Sequence, residues 1–297
     1  MTPSVTVGVL GPGAVGGVLA VGLAQAGVRV VCVARPDTAR VIASQGLTLK
    51  HGSETETARP ETTSELHDSV DLLLVTVKAP ALDDALGRIE ARAETVLPLL
   101  NGIEHMETVR SRLPDSRVVG ATIGWIEAWL ERPGVIVQNT PRTVMTVASD
   151  AGAETAQLLR SSGADVREDG DEKAVLWEKL ARQAPVAAAT ALTQQPIGEL
   201  RSDPAWRRRL EEAVDETCAI AAADGVALTP ETQWEIIDGM PPALTSSTAR
   251  DIAAGRPSEL DAITGAAVRA AHRLGVEAPV LECLLAETES ACQVPSH

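Results

Sequence analysis

A doubly wound α/β domain followed by an all-helical domain is the fold class this sequence predicts, on three observations. The first half of the chain alternates short β-branched runs with helical patterns, as parallel strands joined by crossover helices do. The first of those runs ends in a glycine-rich turn that opens a helix. From about residue 170 the β-branched runs stop and long helical periodicity takes over. The expected domains are therefore 1–169, a nucleotide-binding α/β unit, and 170–297, an all-helical unit.

Taken in order, VTVGVL is the first strand, AVGGVLAVGLAQAG a helix, and VRVVCVA the second strand. A further helix is expected next, then the strand DLLLVTV, another helix and the strand TVLPLL. RVVGATIGWI, GVIVQ and TVMTVAS are later strand candidates, ahead of a helix in AGAETAQLLRSSG and a short strand, ADVRE. REDGDEKAV reads as a polar junction. Beyond it, VLWEKLARQAPVAAATALTQQPIGEL has the character of a half-buried helix, and WRRRLEEAVDETCAIAAADG is amphipathic and ends at Gly225.

Composition narrows the function. With 297 residues and 44% hydrophobic content the chain can bury two modest cores. A net charge of −15 argues against nucleic acid or an anionic membrane as partner, since both need a clustered basic face. The start, MTPSVTVGVLGPG, has no basic leader region, and no apolar run reaches membrane-spanning length, so a cytoplasmic location is expected. Cys32, Cys218, Cys283 and Cys292 show no CxxC spacing; buried thiols are expected, and no metal site. His51, His67, His105, His272 and His297 stand in no motif and are expected at the surface. The chain has no Tyr and no Phe, which excludes a tyrosine general acid.

The glycine turn is GPGAVG: Gly11, Pro12, Gly13, Ala14, Val15 and Gly16, in GxGxxG spacing. Glycines so spaced let the backbone turn tightly and approach a pyrophosphate, while the helix N-terminus offers unpaired N–H donors. GxGxxG alone is weak; with a strand before, a helix after and a second strand close behind, it predicts a Rossmann-type dinucleotide site. An acidic residue at the end of the second strand accepts from the ribose hydroxyl of NAD, whereas this strand ends in Ala34 and Arg35. Arginine there favours the 2′-phosphate of NADP(H). Asp37, two residues on, competes for the ribose, or else caps the next helix.

Lys179 is the chain's most suggestive single residue. Of 26 Lys and Arg only Lys50, Lys78, Lys173 and Lys179 are lysine. A position needing only a fixed charge suits arginine, which holds a carboxylate better; lysine can lose its proton near neutral pH when desolvated. A hydride delivered to a ketone leaves negative charge on oxygen, and a nearby acid must neutralise it.

The ordered set GPGAVGG, Arg35, Lys78 in VTVKAP, Asn101 in LLNGIEH, Lys179 in LWEKL, TALTQQPIGEL, and Ser247 and Glu259 in SSTARDIAAGRPSELDAITG resembles the ketopantoate reductase family, the NADP-dependent 2-dehydropantoate 2-reductases of pantothenate biosynthesis. The resemblance spans nearly the whole chain. It implies that Lys179 donates the proton to the substrate ketone and that Glu259 organises cofactor and site. Lys78 and Asn101 would lie along the nicotinamide half of the cofactor, with Asn101 and Ser247 also at the substrate. It further implies a homodimer through the helical domain. The family places asparagines four and eight residues after its lysine and another before the GEL turn, all serving polar groups of the substrate. Here those substrate-facing positions are Gln183, Ala187 and Ile197, and Trp125 and Trp129 replace small or polar residues. A branched or more apolar 2-oxo acid is the resulting expectation, with ketopantoate still the default named substrate. Two alternatives stay open: an NADP(H)-binding sensor without turnover, and a related hydroxy-acid dehydrogenase or imine reductase.

Overall fold

The computed structural model describes residues 5–293; residues 1–4 and 294–297, with His297 among them, lie outside the described residues. The described chain divides into two compact units. One comprises residues up to Leu100 together with His105–Val175; the other comprises Asn101–Glu104 and the chain from Leu176 on. The division thus falls six residues later than 169/170, inside a helix, and the short segment 101–104 belongs with the helical part.

The first unit contains β1 (Thr6–Leu10), α1 (Ala14–Gln25), β2 (Arg29–Val33), α2 (Pro36–Gln45), β3 (Leu47–His51), β4 (Glu54–Ala58), β5 (Glu61–Thr63), β6 (Val70–Val75), α3 (Leu82–Leu86), β7 (Ala93–Pro98), α4 (His105–Arg112), β8 (Arg117–Val118), β9 (Ala121–Trp125), β10 (Ala128–Arg132), β11 (Val135–Gln138), β12 (Val144–Val147), α5 (Ala153–Ser161) and β13 (Asp165–Glu168). Its main sheet has the order β5-β2-β1-β6-β7-β8 and every pairing is parallel. Strands of such a sheet are covered on both faces and read as continuous apolar runs, as Leu72–Val75 does. The order reverses on either side of β1, so the carboxyl end of β1 is the switch point where ligands of doubly wound sheets bind.

Two departures from the sequence reading have clear causes. Between β2 and β6 stands not one helix but α2, a hairpin of β3 and β4, and β5. Gly46, at φ +80°, ends α2, and the buried Leu47 and Leu49 then alternate with less buried Thr48 and Lys50, a two-residue period that fits a strand. RVVGATIGWI splits into β8, an edge of the parallel sheet, and β9, which joins β12 and β13 in a separate sheet. The small sheet β10-β11-β3-β4 includes β10, a strand the sequence reading missed, whose Trp129 and Leu130 are exposed.

The second unit takes up the long helix α6 (Glu172–Thr193) from Leu176 on, and adds α7 (Ile197–Ser202), α8 (Pro204–Ala223), α9 (Pro230–Asp238), α10 (Ser247–Ala253), a π-helical turn at Asp261–Gly265, α11 (Ala266–Leu274) and α12 (Pro279–Gln293). Pro185 lies inside α6 and has no N–H for the carbonyl of Ala181. Thr217 of α8 supplies the missing donor, its hydroxyl lying 2.6 Å from that carbonyl oxygen. Alanines on α6 let neighbours approach closely, and Ala181, Val186 and Ala189 share an apolar core with Ile197, Leu200, Leu210, Val214 and Ile237. Trp177, fully buried, donates from Nε1 to Asp224 at 2.8 Å.

Three side-chain expectations are corrected here. Cys32 and Cys218 are buried, but Cys283 and Cys292 are exposed, on the outer side of α12. His105 is buried rather than at the surface, because it begins α4 with its side turned inward beside Met106. Asp37 is not the N-cap of α2: Arg35 holds that place, and Asp37 sits in the first turn, paired with Arg40. Among the described residues no helix is long and apolar enough to cross a membrane, and no group of three or more His, Cys, Asp or Glu is placed to hold a metal ion.

Candidate active site

Functional side chains gather in two places, one in each unit. In the first unit the chain leaves β1 at Leu10 and turns at Gly11, whose φ of +87° is open to glycine and strained for other residues. The Gly11 N–H reaches the Val33 carbonyl at the end of β2 (2.9 Å), and Gly13 N–H returns to Gly11 (2.6 Å), so the backbone runs straight into α1. Gly16 is packed tightly: a Cβ there would stand 2.2 Å from Thr76 Oγ1 and 2.5 Å from the Gly11 carbonyl oxygen. Gly13 is the opposite, with nothing closer to such an atom than 3.8 Å. No side chain caps α1 and its first turn carries no acidic residue. Pro12, Ala14 and Val15 complete the loop, which therefore presents backbone N–H groups and the positive end of a twelve-residue helix to open space, a setting for an anion.

Thr76, which the sequence reading passed over inside VTVKAP, braces this loop from the carboxyl end of β6. Its hydroxyl faces the carbonyl oxygens of Leu10 (3.1 Å) and Gly11 (2.8 Å). Its signal in the sequence was a polar residue closing an otherwise apolar strand. Lys78 follows two residues later, exposed, as the cap of a short 3-10 turn. Arg35 is exposed just beyond β2, while the Asp37 carboxylate is already engaged by Arg40. Backbone donors at the switch point fit the pyrophosphate of a dinucleotide, and a cation stands at the end of β2.

In the second unit four residues from three stretches distant in sequence meet. Lys179, half-buried on α6, donates from Nζ to Asn101 Oδ1 at 2.7 Å. Gln183, one turn along the same helix face, donates from Nε2 to the same oxygen at 3.0 Å. Asn101 Nδ2 in turn donates to Glu259 Oε2 at 2.9 Å, and Glu259 is buried just before the π-helical turn. One amide thus stands between an ammonium and a carboxylate, accepting from the first and donating to the second. Burial pushes the Lys179 ammonium from 10.5 down to about 8; the Glu259 carboxylate opposes that fall and the Arg182 guanidinium adds to it. The result is an amine that still carries its proton at neutral pH and gives it up readily.

The other expected substrate residues are placed differently. Ala187, one turn beyond Gln183, is buried and offers no polar atom. Ile197 is fully buried in the apolar core beside Leu200 and Leu210, away from the polar cluster, because α7 turns that face inward. Its expected place at the substrate is corrected to a packing role. Ser247 is exposed at the first position of α10, and the neighbouring Ser246 caps that helix, accepting from Ala249 N–H (3.0 Å) and from the Thr190 hydroxyl (2.8 Å).

Similarity to known proteins extends over nearly the whole chain. Residues 7–151 match the family model described as Ketopantoate reductase PanE/ApbA, and residues 171–290 match that of the Ketopantoate reductase PanE/ApbA C terminal. The 2-dehydropantoate 2-reductase of Caulobacter vibrioides is 30% identical over 297 residues, covering 96% of this chain and 99% of that protein. The 2-dehydropantoate 2-reductase of Mycobacterium tuberculosis is 30% identical over 306 residues, covering 97% and 98%. Among solved structures, a PanE/ApbA family ketopantoate reductase from Ralstonia eutropha superposes with a TM-score of 0.85 at 29% identity, covering 97% of this chain and 98% of that one. With both halves of its length matched by models of one family, this chain belongs to the ketopantoate reductase family.

Proposed function

We propose that the protein reduces a 2-oxo acid, ketopantoate or a more apolar branched relative, to the 2-hydroxy acid with NADPH, and that Lys179 is the proton donor. The observation that carries this reading is the Lys179–Asn101–Glu259 chain of hydrogen bonds, with the lysine held at a pKa of about 8. The cofactor, when bound, supplies the hydride. The glycine loop and the α1 N-terminus hold its pyrophosphate, and Arg35 its 2′-phosphate. As the new C–H bond forms and the carbonyl π bond breaks, charge grows on oxygen. The Lys179 ammonium stabilises that charge and transfers one proton to it, and the neutral amine is then reprotonated from solvent. Asn101 and Glu259 orient the amine throughout.

Retention of Lys179 in a hydrogen-bonded place, with a depressed pKa, favours turnover over a sensor role, because a released site has no chemical need for either. On substrate choice, Gln183 commits its N–H to Asn101, and its enclosed Oε1 has no partner among the described residues. Ala187, one turn beyond Gln183, offers no polar side-chain atom, which supports an apolar side chain on the oxo acid. The test is a panel of 2-oxo acids with NADPH, followed by the absorbance of the reduced nicotinamide. Reduction of branched or aryl oxo acids more efficiently than ketopantoate is expected; no oxidation with any member contradicts the proposal.

A further inference from the structure

The segment Asn101–Glu104 follows β7 of the first unit and precedes α4 of the same unit, yet it is part of the second. Three features of the second unit hold it there. Asn101 is bonded to Glu259. Gly102, at φ +83°, lies so close to the π-helical turn that a Cβ would stand 1.9 Å from the Ala262 carbonyl oxygen. Glu104 meets Arg269 of α11 in a two-pronged pair, Nε to Oε1 at 2.9 Å and Nη2 to Oε2 at 2.7 Å. Arg269 is tied in turn to Asp261, the first residue of the π-helical turn, through Nη1 to the carboxylate at 2.6 Å and Nη2 to the carbonyl at 3.0 Å. Gly265 leaves space for this knot, since a Cβ on it would lie 2.8 Å from Asp261 Oδ1.

Energetically the knot is puzzling as a stabiliser. The side chains of Glu104 and Arg269 are 42% and 43% exposed, and pairs so open to water contribute little to global stability. What a two-pronged pair does supply is fixed geometry. Its position gives that geometry a use: it grips one end of a four-residue segment whose other end is Asn101, the acceptor for Lys179. Turns of the π type also occur mostly at functional sites.

We propose that Arg269 is a positioning residue: by gripping Glu104 and Asp261 it seats the segment 101–104 on the π-helical turn, and so fixes Asn101 between Lys179 and Glu259 and keeps the lysine amine oriented and poorly hydrated. Its catalytic consequence rests on the proposed role of Lys179 as proton donor; the positioning itself does not.

Because the chain has only four lysines, lysine labelled with carbon-13 at Cε gives a readable spectrum, with the Lys179 signal assigned by its loss in Lys179→Ala. The titration of that signal is followed in Arg269→Ala and Glu104→Gln. Both substitutions break the grip, but they change nearby charge in opposite senses. Loss of a cation raises a lysine pKa through space, and loss of an anion lowers it. The groups that act directly on Lys179, namely Glu259, Arg182 and Asn101, are unaltered in both. Positioning predicts that both variants raise the Lys179 pKa from about 8 toward the ordinary lysine value, as water reaches the amine. It also predicts that kcat falls roughly tenfold with the KM for NADPH unchanged, and that Arg269→Lys lies between wild type and Arg269→Ala. Shifts in opposite directions, or no shift in either variant, would overturn the proposal and leave an ordinary surface ion pair. Since the titration needs no turnover, a protein inactive on every oxo acid contradicts the proposed function and still leaves the positioning result readable.

Discussion

The glycine loop and the lysine cluster are built on opposite plans. The loop is six consecutive residues whose backbone groups are proposed to do the binding, so its side chains matter mainly by being absent. The cluster takes single side chains from positions far apart: Lys179 is 78 residues from Asn101, and Asn101 is 158 residues from Glu259. A site made of backbone fails when an atom is added, and a site made of side chains fails when one is removed.

The largest effect should come from removing the amine. Lys179→Ala is expected to lower kcat by roughly 10²- to 10⁴-fold, the range for a positioned general acid, while NADPH affinity, measured by fluorescence titration, stays near wild type. Loss of both together would mean that the lysine serves binding rather than chemistry, and the contrast between the two sites would collapse. Adding one methyl group to the loop is the matching experiment. Gly16→Ala drives a carbon against Thr76 and the Gly11 carbonyl, so NADPH affinity should fall by more than about tenfold as the loop shifts, with the Lys179 titration unmoved.

Arg35 brings a side chain, rather than backbone, to the proposed cofactor site. Arg35→Ala should reduce the preference for NADPH over NADH by roughly ten- to a hundredfold, for a charge-assisted contact worth about 1.5–3 kcal/mol. Equal affinities in the native protein would contradict the NADP assignment and turn attention to Asp37, whose carboxylate Arg40 now engages.

How far each site was legible in the sequence follows from the same contrast. GPGAVG could be read directly because the motif is local, and the strands beside it could be read because buried parallel strands are continuous apolar runs. The hairpin of β3 and β4 escaped because its outward positions carry Thr, Lys and Glu, and only Leu47, Leu49 and Ala58 mark the buried face. In the lysine cluster, the resemblance named Lys179, Asn101 and Glu259 separately, but nothing in spacing told that the Asn101 amide joins the other two. Ile197 was misplaced for the converse reason: its position in a pattern was legible, whereas the direction in which α7 faces depends on packing against Leu200 and Leu210. Glu104 and Arg269, 165 residues apart, left no local signal at all.

A smaller effect appears in stability rather than rate. The pKa of Lys179 is depressed from 10.5 to about 8, so between those values the unfolded chain holds a proton that the folded chain has released. Stability attributable to this residue therefore rises with pH across that window, and at pH 7, where both states are protonated, the full penalty for the buried charge remains. Lys179→Met should raise stability at pH 7 by about 1–3 kcal/mol in denaturant unfolding, an advantage that fades toward pH 10.5, with the Asn101 oxygen still satisfied by Gln183.

The pH dependence of kcat for 2-oxo acid reduction, at saturating NADPH, bears most directly on Lys179 as proton donor. A flat rate at lower pH is expected, falling by roughly tenfold per pH unit once the lysine loses its proton near pH 8, with oxidation of the 2-hydroxy acid rising through the same region and Lys179→Ala showing neither inflection. A reduction rate that ignores pH across this range, or the same inflection in Lys179→Ala, would contradict the account.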